Sequence, residues 1–263
     1  MKKYLKPMML SFQAVFQYRM NVVLYMIFGL IPLVALILLW HSLFETQSNI
    51  QGYTLEMMIT YVIIAKLIEL LLIPEMHWSI NEEIQSGELS KYLIKPFSYF
   101  GYWFSHNLGN KIIHLLMSVI PIIPIIFLNR DYFLLPTLKY TFLFILSMVG
   151  AAILYYMIYY LISLFSFYFV EISSFFFTVD IVLELLSGSL IPLEFLPTPL
   201  NTITQFLPFS YLIHFPVNVY LGNLSGTEIV NGLISQVIWS LVFYVLIRVL
   251  WKKGLNKYES VGA

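Results

Sequence analysis

Apolar positions in this chain run in long blocks, with little of the alternation that marks half-buried strands. Residues 22–40 are apolar for 19 positions, enough for a helix to cross a bilayer, with Pro32 as the expected kink. Similar blocks cover 55–74, 103–127 (bent near Pro121 and Pro124), 138–163, 171–190 and 229–251. Ahead of them, residues 1–20 place Leu5, Met8, Met9, Phe12 and Phe16 at helical spacing, with Lys6, Gln13 and Gln17 on another face. That pattern predicts an amphipathic helix lying in the membrane interface. A signal peptide fits less well, because Gln13, Gln17 and Arg19 interrupt any apolar core. The pattern predicts an all-α membrane protein with six transmembrane helices, built as a single domain over 1–263.

Two segments break the block pattern. Residues 75–100 are the most polar long stretch: Ile80, Ile84, Leu89, Tyr92 and Leu93 oppose Glu82, Glu83, Glu88, Lys91 and Lys95. We expect a short amphipathic helix, a break at Gly87, and a second short helix ending at Pro96. The second exception is Ser187–Asn223, apolar yet holding five prolines: Pro192, Pro197, Pro199, Pro208 and Pro216. A straight spanning helix does not tolerate that density. The segment, with its core at 191–222, is expected to dip into the bilayer and return as a re-entrant hairpin. Irregular backbone at membrane depth survives only where protein or a water-lined cavity covers it, so the hairpin is expected to lid a cavity. A surface loop with interfacial anchors is the alternative.

Composition agrees with the membrane reading: 60% hydrophobic residues against 11% charged, with mean hydropathy +0.83. The formal net charge is zero, which suggests no nucleic-acid partner. Charge distribution is more informative. Ten basic residues (Lys2, Lys3, Lys6, Arg19, Lys91, Lys95, Arg248, Lys252, Lys253 and Lys257) fall on the termini and the 75–100 segment, whereas Arg130 and Lys139 fall opposite. The positive-inside rule then places both termini and residues 75–100 in the cytoplasm and the hairpin on the outer side. There are no cysteines, so disulfides, thiolate metal sites and a cysteine nucleophile are excluded.

Catalytic and energy-coupling motifs are missing. No lysine is followed by Ser or Thr, so the chain has no P-loop, and there is no HExxH or GxSxG. The histidines, His41, His77, His106, His114 and His214, are scattered; His106 and His114 are eight apart, which suits packing better than a metal site. The ionisable residues inside apolar blocks are the stronger signal: Lys66, Glu69, Asp180 and Glu184. Such residues face a bundle interior or a cavity, and they pair. Asp180 and Glu184 are one turn apart, and Lys66 is the obvious cation for them. A substrate or gating cavity and a structural ion pair remain open readings. Tyr155, Tyr156, Tyr159 and Tyr160 either line a path or belong to an interfacial belt. The 75–100 helix suits docking of a soluble protein better than an anionic lipid surface, given Glu82, Glu83 and Glu88.

In this order of parts, with EEIQSGELSKYLIKPFSYF (82–100), SGSLIPLEFLP (187–197), LPFSYLIHFPVNVYLG (207–222) and the C-terminal W…KYESVGA (251–263), the chain resembles the ABC-2 type permeases of ATP-binding cassette transporters. Within them it is similar to the roughly 260-residue permeases often paired with a second, related permease. The resemblance implies a multi-pass subunit of a bacterial-type cell membrane, surrounded by lipid, that is not itself an enzyme. ATP and Mg would sit on separate ATPase subunits, with no cofactor or metal on this chain. The coupling-helix role would fall on Asn81, Glu82, Glu83, Ile84, Gln85, Ser86, Gly87, Glu88 and Leu89. The second and fifth spans would form the interface with an identical or homologous permease, bringing Lys66, Glu69, Asp180 and Glu184 to the central path or gate. The outer hairpin, with Ser187, Gly188, Pro192, Pro197, Pro208 and Pro216, would close the exit of an exporter. A polar or zwitterionic substrate stays open. Two other classes are weighed beside it: an ion- or proton-coupled secondary transporter using Asp180, Glu184 and Lys66, and an intramembrane lipid-modifying enzyme.

Overall fold

The computed structural model describes residues 19–258; the expected interfacial helix at 1–20 lies almost entirely outside them. The described chain is helical. It runs α1 (Arg19–Phe44), α2 (Leu55–Leu72), α3 (Met76–Gln85), α4 (Ser90–Leu93), α5 (Tyr99–Leu128), α6 (Leu138–Ser163), α7 (Ser173–Leu186), α8 (Thr198–Phe206), α9 (His214–Leu221) and α10 (Gly226–Leu255). Short 3₁₀ turns occupy Leu164–Phe167, Leu193–Phe195 and Pro208–Tyr211. Among the described residues, three stretches are long and apolar enough to cross a membrane: Leu55–Gln85, Leu138–Phe167 and Gly226–Leu255.

The helix boundaries have local causes. Thr54 caps α2, its side chain accepting from the Met57 amide, and Pro74 ends it by forcing Ile73 into extended backbone (ψ 118°). Ser98 caps α5. Ser225 and Glu228 form a reciprocal capping box at the start of α10. The break between α3 and α4 falls at Gly87, with φ +78°.

α2 is the centre of the molecule. Of its most apolar window 61% is buried, against 17% for α10. Leu33, Ile37 and Trp40, at helical spacing on α1, turn inward against α2. α5, α6 and α9 also pack on α2, and α10 packs on α6. Much of α10 is left to lipid: Val237, Leu241, Val245 and Val249 are exposed on one side.

Two expectations need correction. The fifth apolar block, read as a span over 171–190, forms a helix only over Ser173–Leu186. Its 14 residues reach about 21 Å, short of the roughly 30 Å hydrocarbon core. A glycine in left-handed conformation, Gly188 with φ +79°, stands just past its end. The proline-rich segment is also more regular than its composition suggests. Pro199 lies in the first turn of α8 and Pro208 opens a 3₁₀ turn. Pro216 is in the first turn of α9, while Pro192 and Pro197 precede helical turns. In the first turn an amide has no intrahelical partner, so a missing N–H costs nothing there.

Gln236 joins three parts of the fold. From the middle of α10 its Nε2 donates to the Ser147 carbonyl of α6 and to the Tyr211 carbonyl beside α9, each at 3.0 Å. Its side chain fills the space where a Cβ on Gly150 would stand. Gly150→Ala should therefore destabilise the protein by about 1–3 kcal/mol, because Gln236 cannot swing aside without losing both bonds. The check is the thermal unfolding midpoint in detergent or nanodiscs. In a double-mutant cycle with Gln236→Ala the two losses should be strongly non-additive. Additive losses would show that the contact does not carry the effect.

Candidate functional site

Three of the four intramembrane ionisable residues, all but Lys66, line one cavity of about 610 Å³. Glu69, Asp180 and Glu184 stand on its wall, with Tyr155 and Tyr159 of α6 between them. The start of α3 contributes His77 and Trp78, and α5 contributes Trp103, His106 and Lys111. The tyrosines are therefore no interfacial belt. Tyr155, Tyr156, Tyr159 and Tyr160 are all buried. Tyr156 donates to the Phe100 carbonyl at 2.6 Å and its ring meets Tyr160, which leaves Tyr155 and Tyr159 to face the cavity.

The pairing of charges differs from the sequence expectation. Lys66 does not bind Asp180 or Glu184; its Nζ is 2.7 Å from Glu69 Oε1, three residues along α2. The other Glu69 oxygen accepts from Ser189 Oγ at 3.1 Å. Asp180 accepts from the Tyr159 hydroxyl at 2.7 Å. Glu184 is exposed, with Glu69, Asp180 and Lys66 as its charged neighbours. Proximity within α2 decides this: a lysine three residues from a carboxylate needs no further helix to find a partner.

The turn Ser187–Gly188–Ser189 closes one side of the site, and α2 and α9 hold it. The Tyr61 hydroxyl donates to the Gly188 carbonyl at 2.7 Å, and the His214 amide donates to the Ser187 carbonyl at 2.9 Å. With the Ser189–Glu69 bond, all three turn residues are tied. Behind the turn lies a polar cluster that sequence reading missed. Tyr53 donates to Glu194 Oε2 at 3.3 Å and to Asn218 Oδ1 at 3.2 Å, and His214 Nε2 stands 3.4 Å from Glu194 Oε1. Burial raises the Glu194 carboxyl, but the His214 contact, its own backbone and the Tyr53 hydroxyl outweigh it. The net result lies below the usual glutamate range. Burial first, and the nearby Glu194 charge second, push the Tyr53 hydroxyl up.

At the opposite end, the segment expected to dock a partner has an inward and an outward face. Ile80, Ile84 and Leu89 are buried. Glu83 also turns inward, its Oε2 accepting from Tyr99 Oη and from Trp103 Nε1. Gln85 Nε2 donates to the Ser166 and Phe169 carbonyls at 2.9 and 2.8 Å. Asn81 is half-buried, and Gly87 is buried in the turn. Glu82, Ser86 and Glu88 are exposed, and so are Leu93 and Ile94 beyond them. The C-terminal motif packs against the same region: Trp251 stacks on Tyr99 at 5.3 Å, and the Ser90 amide donates to Tyr258 Oη at 3.2 Å.

Two outcomes follow for the turn and its support. A Cβ at Gly188 would stand 2.7 Å from the Tyr61 hydroxyl and 2.9 Å from His214 Cβ, in a left-handed conformation that other residues rarely adopt. Gly188→Ala should cost about 3 kcal/mol or more, read as a lowered unfolding midpoint, whereas Gly52→Ala, also at positive φ (+89°) but with open space around it, should cost only the backbone share of about 1–2 kcal/mol. Because the Glu194 carboxyl is depressed in the folded protein, its contribution is present above about pH 4.3 and is lost as pH falls through the lower folded value. Glu194 is 42% exposed, so solvent screening holds the effect to about 1 kcal/mol or less. Unfolding midpoints of wild type and Glu194→Gln should converge on acidification from pH 7 to pH 3.5; a constant gap would refute a role for the charge.

Comparisons with curated proteins and with solved structures return no match for this chain. The family model described as ABC-2 family transporter protein matches residues 30–262, from the middle of α1 to the C-terminal motif. The helical architecture, the apolar spans and the extent of that match agree, and the chain belongs to the ABC-2 family of transporter membrane proteins.

Proposed function

We propose that this chain is the permease subunit of an ATP-driven exporter. In this reading it works with a second permease, identical or homologous, and with separate ATPase subunits that carry ATP and Mg. Both termini and α3–α4 lie in the cytoplasm, as the basic residues favour. The chain crosses the membrane six times, α7 being a short crossing completed by the Ser187–Ser189 turn. The segment 191–222 is the outer closure. Glu69, Asp180 and Glu184 line the path or gate, and Lys66 neutralises Glu69.

The observation that carries this reading is the two-sided build of residues 76–95. Its inward face is locked to α5 through Glu83, to the 3₁₀ turn after α6 through Gln85, and to Tyr258 beyond α10 through Ser90. Its outward face presents Glu82, Ser86 and the exposed Glu88–Lys91 ion pair at 2.6 Å beside the exposed apolar pair Leu93 and Ile94, the latter 86% exposed. Acidic and basic groups balance there, whereas an anionic lipid surface would favour an excess of lysines. A mixed-charge and apolar patch held on the membrane domain suits a soluble protein that pushes on it. Export rather than import rests on the outer closure and on analogy within the family.

The test is to tag the chain, extract membranes in mild detergent and identify what copurifies in stoichiometric amount. A P-loop ATPase is expected, with or without a second permease. Glu82→Lys with Glu88→Lys should reduce its recovery at least about tenfold, because two charges are reversed across one interface, and leave the unfolding midpoint in place. Glu83→Gln should instead lower the midpoint, by about 1–2 kcal/mol, since it weakens buried hydrogen bonds. A chain that purifies alone and transports in vesicles without ATP would replace this reading with the ion-coupled one.

A further inference from the structure

The cavity holds more negative charge than its own cations answer. Glu69 is neutralised by Lys66 at 2.7 Å. Lys111 donates to the Ile73 carbonyl and has Glu75 as its charged neighbour on the same wall. Asp180 and Glu184 remain. Among the described residues no lysine, arginine or histidine stands within ion-pair distance of either. The carboxylates are also too dispersed to chelate: no group of three acidic or histidine side chains among the described residues could hold a metal ion. Charge spread over a wall, with no point of convergence, fits a molecule with a charged end and a body.

The rest of the wall describes the body. Trp78, Trp103, Tyr155 and Tyr159 supply aromatic surface, against which cations and apolar groups both bind well. His77 adds an independent sign of a missing ligand. It is 3% exposed, on the cavity wall; the Pro74 carbonyl lies within reach of one ring nitrogen, and no donor meets the other. Its ring is packed among Trp78, Tyr159 and Phe176, at centroid distances of 5.2, 4.9 and 4.9 Å. A neutral imidazole there offers one acceptor nitrogen, and a buried acceptor without a donor is a cost the fold carries. An ammonium N–H would answer both the acceptor and the two uncompensated carboxylates. The volume, about 610 Å³, lies within the range of small-molecule sites.

From these features we infer that the cavity takes a protonated amine carried on an apolar or aromatic body. This rests on the transporter reading only for its meaning as substrate; the binding itself does not. Asp180 and Glu184 receive the ammonium group, His77 accepts one of its N–H bonds, and the rings of α5 and α6 hold the body.

The probe set is phenethylamine, 2-phenylethanol and 3-phenylpropionate, which share a ring and differ in charge. Binding is read without ATP, on the full chain in lipid nanodiscs with whatever partners accompany it. The readouts are tryptophan fluorescence, which reports on Trp78 and Trp103, and the unfolding midpoint. The amine should saturate at roughly tenfold lower concentration than the alcohol, and the carboxylate should bind more weakly than either. Glu184→Gln, at an exposed side chain with no hydrogen-bond partner of its own, should fold normally and reduce the preference for the amine several-fold. Asp180→Asn in addition should abolish it. Equal binding of amine and alcohol, or a preference that survives in both variants, overturns the inference. An amine preference in a chain that brings no ATPase would keep the binding site and refute the exporter; an ATPase-bearing complex without the preference would refute the site alone.

Discussion

Polar groups removed from water must find partners, and in this protein the requirement is concentrated at one turn. Residues 187–189 follow the end of α7, so their backbone groups cannot rely on an intrahelical ladder. α2 and α9 supply the partners. Tyr61 satisfies the Gly188 carbonyl, Glu69 holds the Ser189 hydroxyl, and the His214 amide reaches the Ser187 carbonyl. The proline-rich segment starts from this clasp, α9 is bonded to it, and one side of the cavity is closed by it. The ion pair of Lys66 with Glu69 belongs to the same arrangement, since it fixes one carboxylate oxygen while Ser189 bonds the other.

Close approach between the other elements depends on small residues in places that the clasp makes possible. Gly232 of α10 lies against the Phe215 ring, and Gly254 lies against Phe167. Gly150 makes room for Gln236. Each lets α10, otherwise mostly exposed to lipid, reach the interior at one point along its length. In a bilayer, apolar side chains gain little from leaving lipid for protein, so such contacts and the hydrogen bonds beside them bear a large share of helix association. Gln236 is the plainest case: a single amide group, buried in an apolar helix, ties α6 and the hairpin to α10.

Helix positions were legible in the sequence because their causes are local. Apolar runs, Thr54 and Ser225 as caps, Pro74 as a stop and Gly87 as a break are all read within a few residues. The length of α7 was not, because an apolar run over 171–190 does not reveal that its last turns are replaced by a turn bonded to distant helices. Prolines were counted correctly and interpreted too simply: density matters less than position, and the first turn of a short helix accepts them. At the site, the participation of Glu69, Asp180 and Glu184 in one cavity was legible from the cost of charge in apolar blocks. Their partners were not. Lys66 found a neighbour on its own helix, and Asp180 found a tyrosine hydroxyl on α6. Glu83 looked like part of an acidic docking face, but Tyr99 and Trp103, 16 and 20 residues away, draw it inward. The members of the Tyr53, Glu194, His214 and Asn218 cluster are far apart in sequence and meet only in the fold, and Gln236 carries no charge to set it apart within an apolar run.

The joint between α2 and α3 brings the two ends of the proposed mechanism together. Only Ile73, Pro74 and Glu75 separate the helix that clasps the turn from the helix that begins the mixed-charge patch. Both sides of that joint contribute to the cavity wall, Glu69 and Leu70 before it, His77 and Trp78 after it. α3 is tied to the body through Glu83 and Gln85, so a force on its outward face acts on a rigid element. Displacement of α3 moves His77 against Tyr159, whose hydroxyl holds Asp180. Under the proposed function, a partner pushing on Glu82 and Glu88 therefore reaches the uncompensated carboxylates through one short helix and two side-chain contacts, with no long chain of intermediates. That economy gives physical content to the placement of the polar segment directly after the most buried helix. In that reading the element that would receive the work of ATP hydrolysis is also part of the wall that the transported molecule would touch.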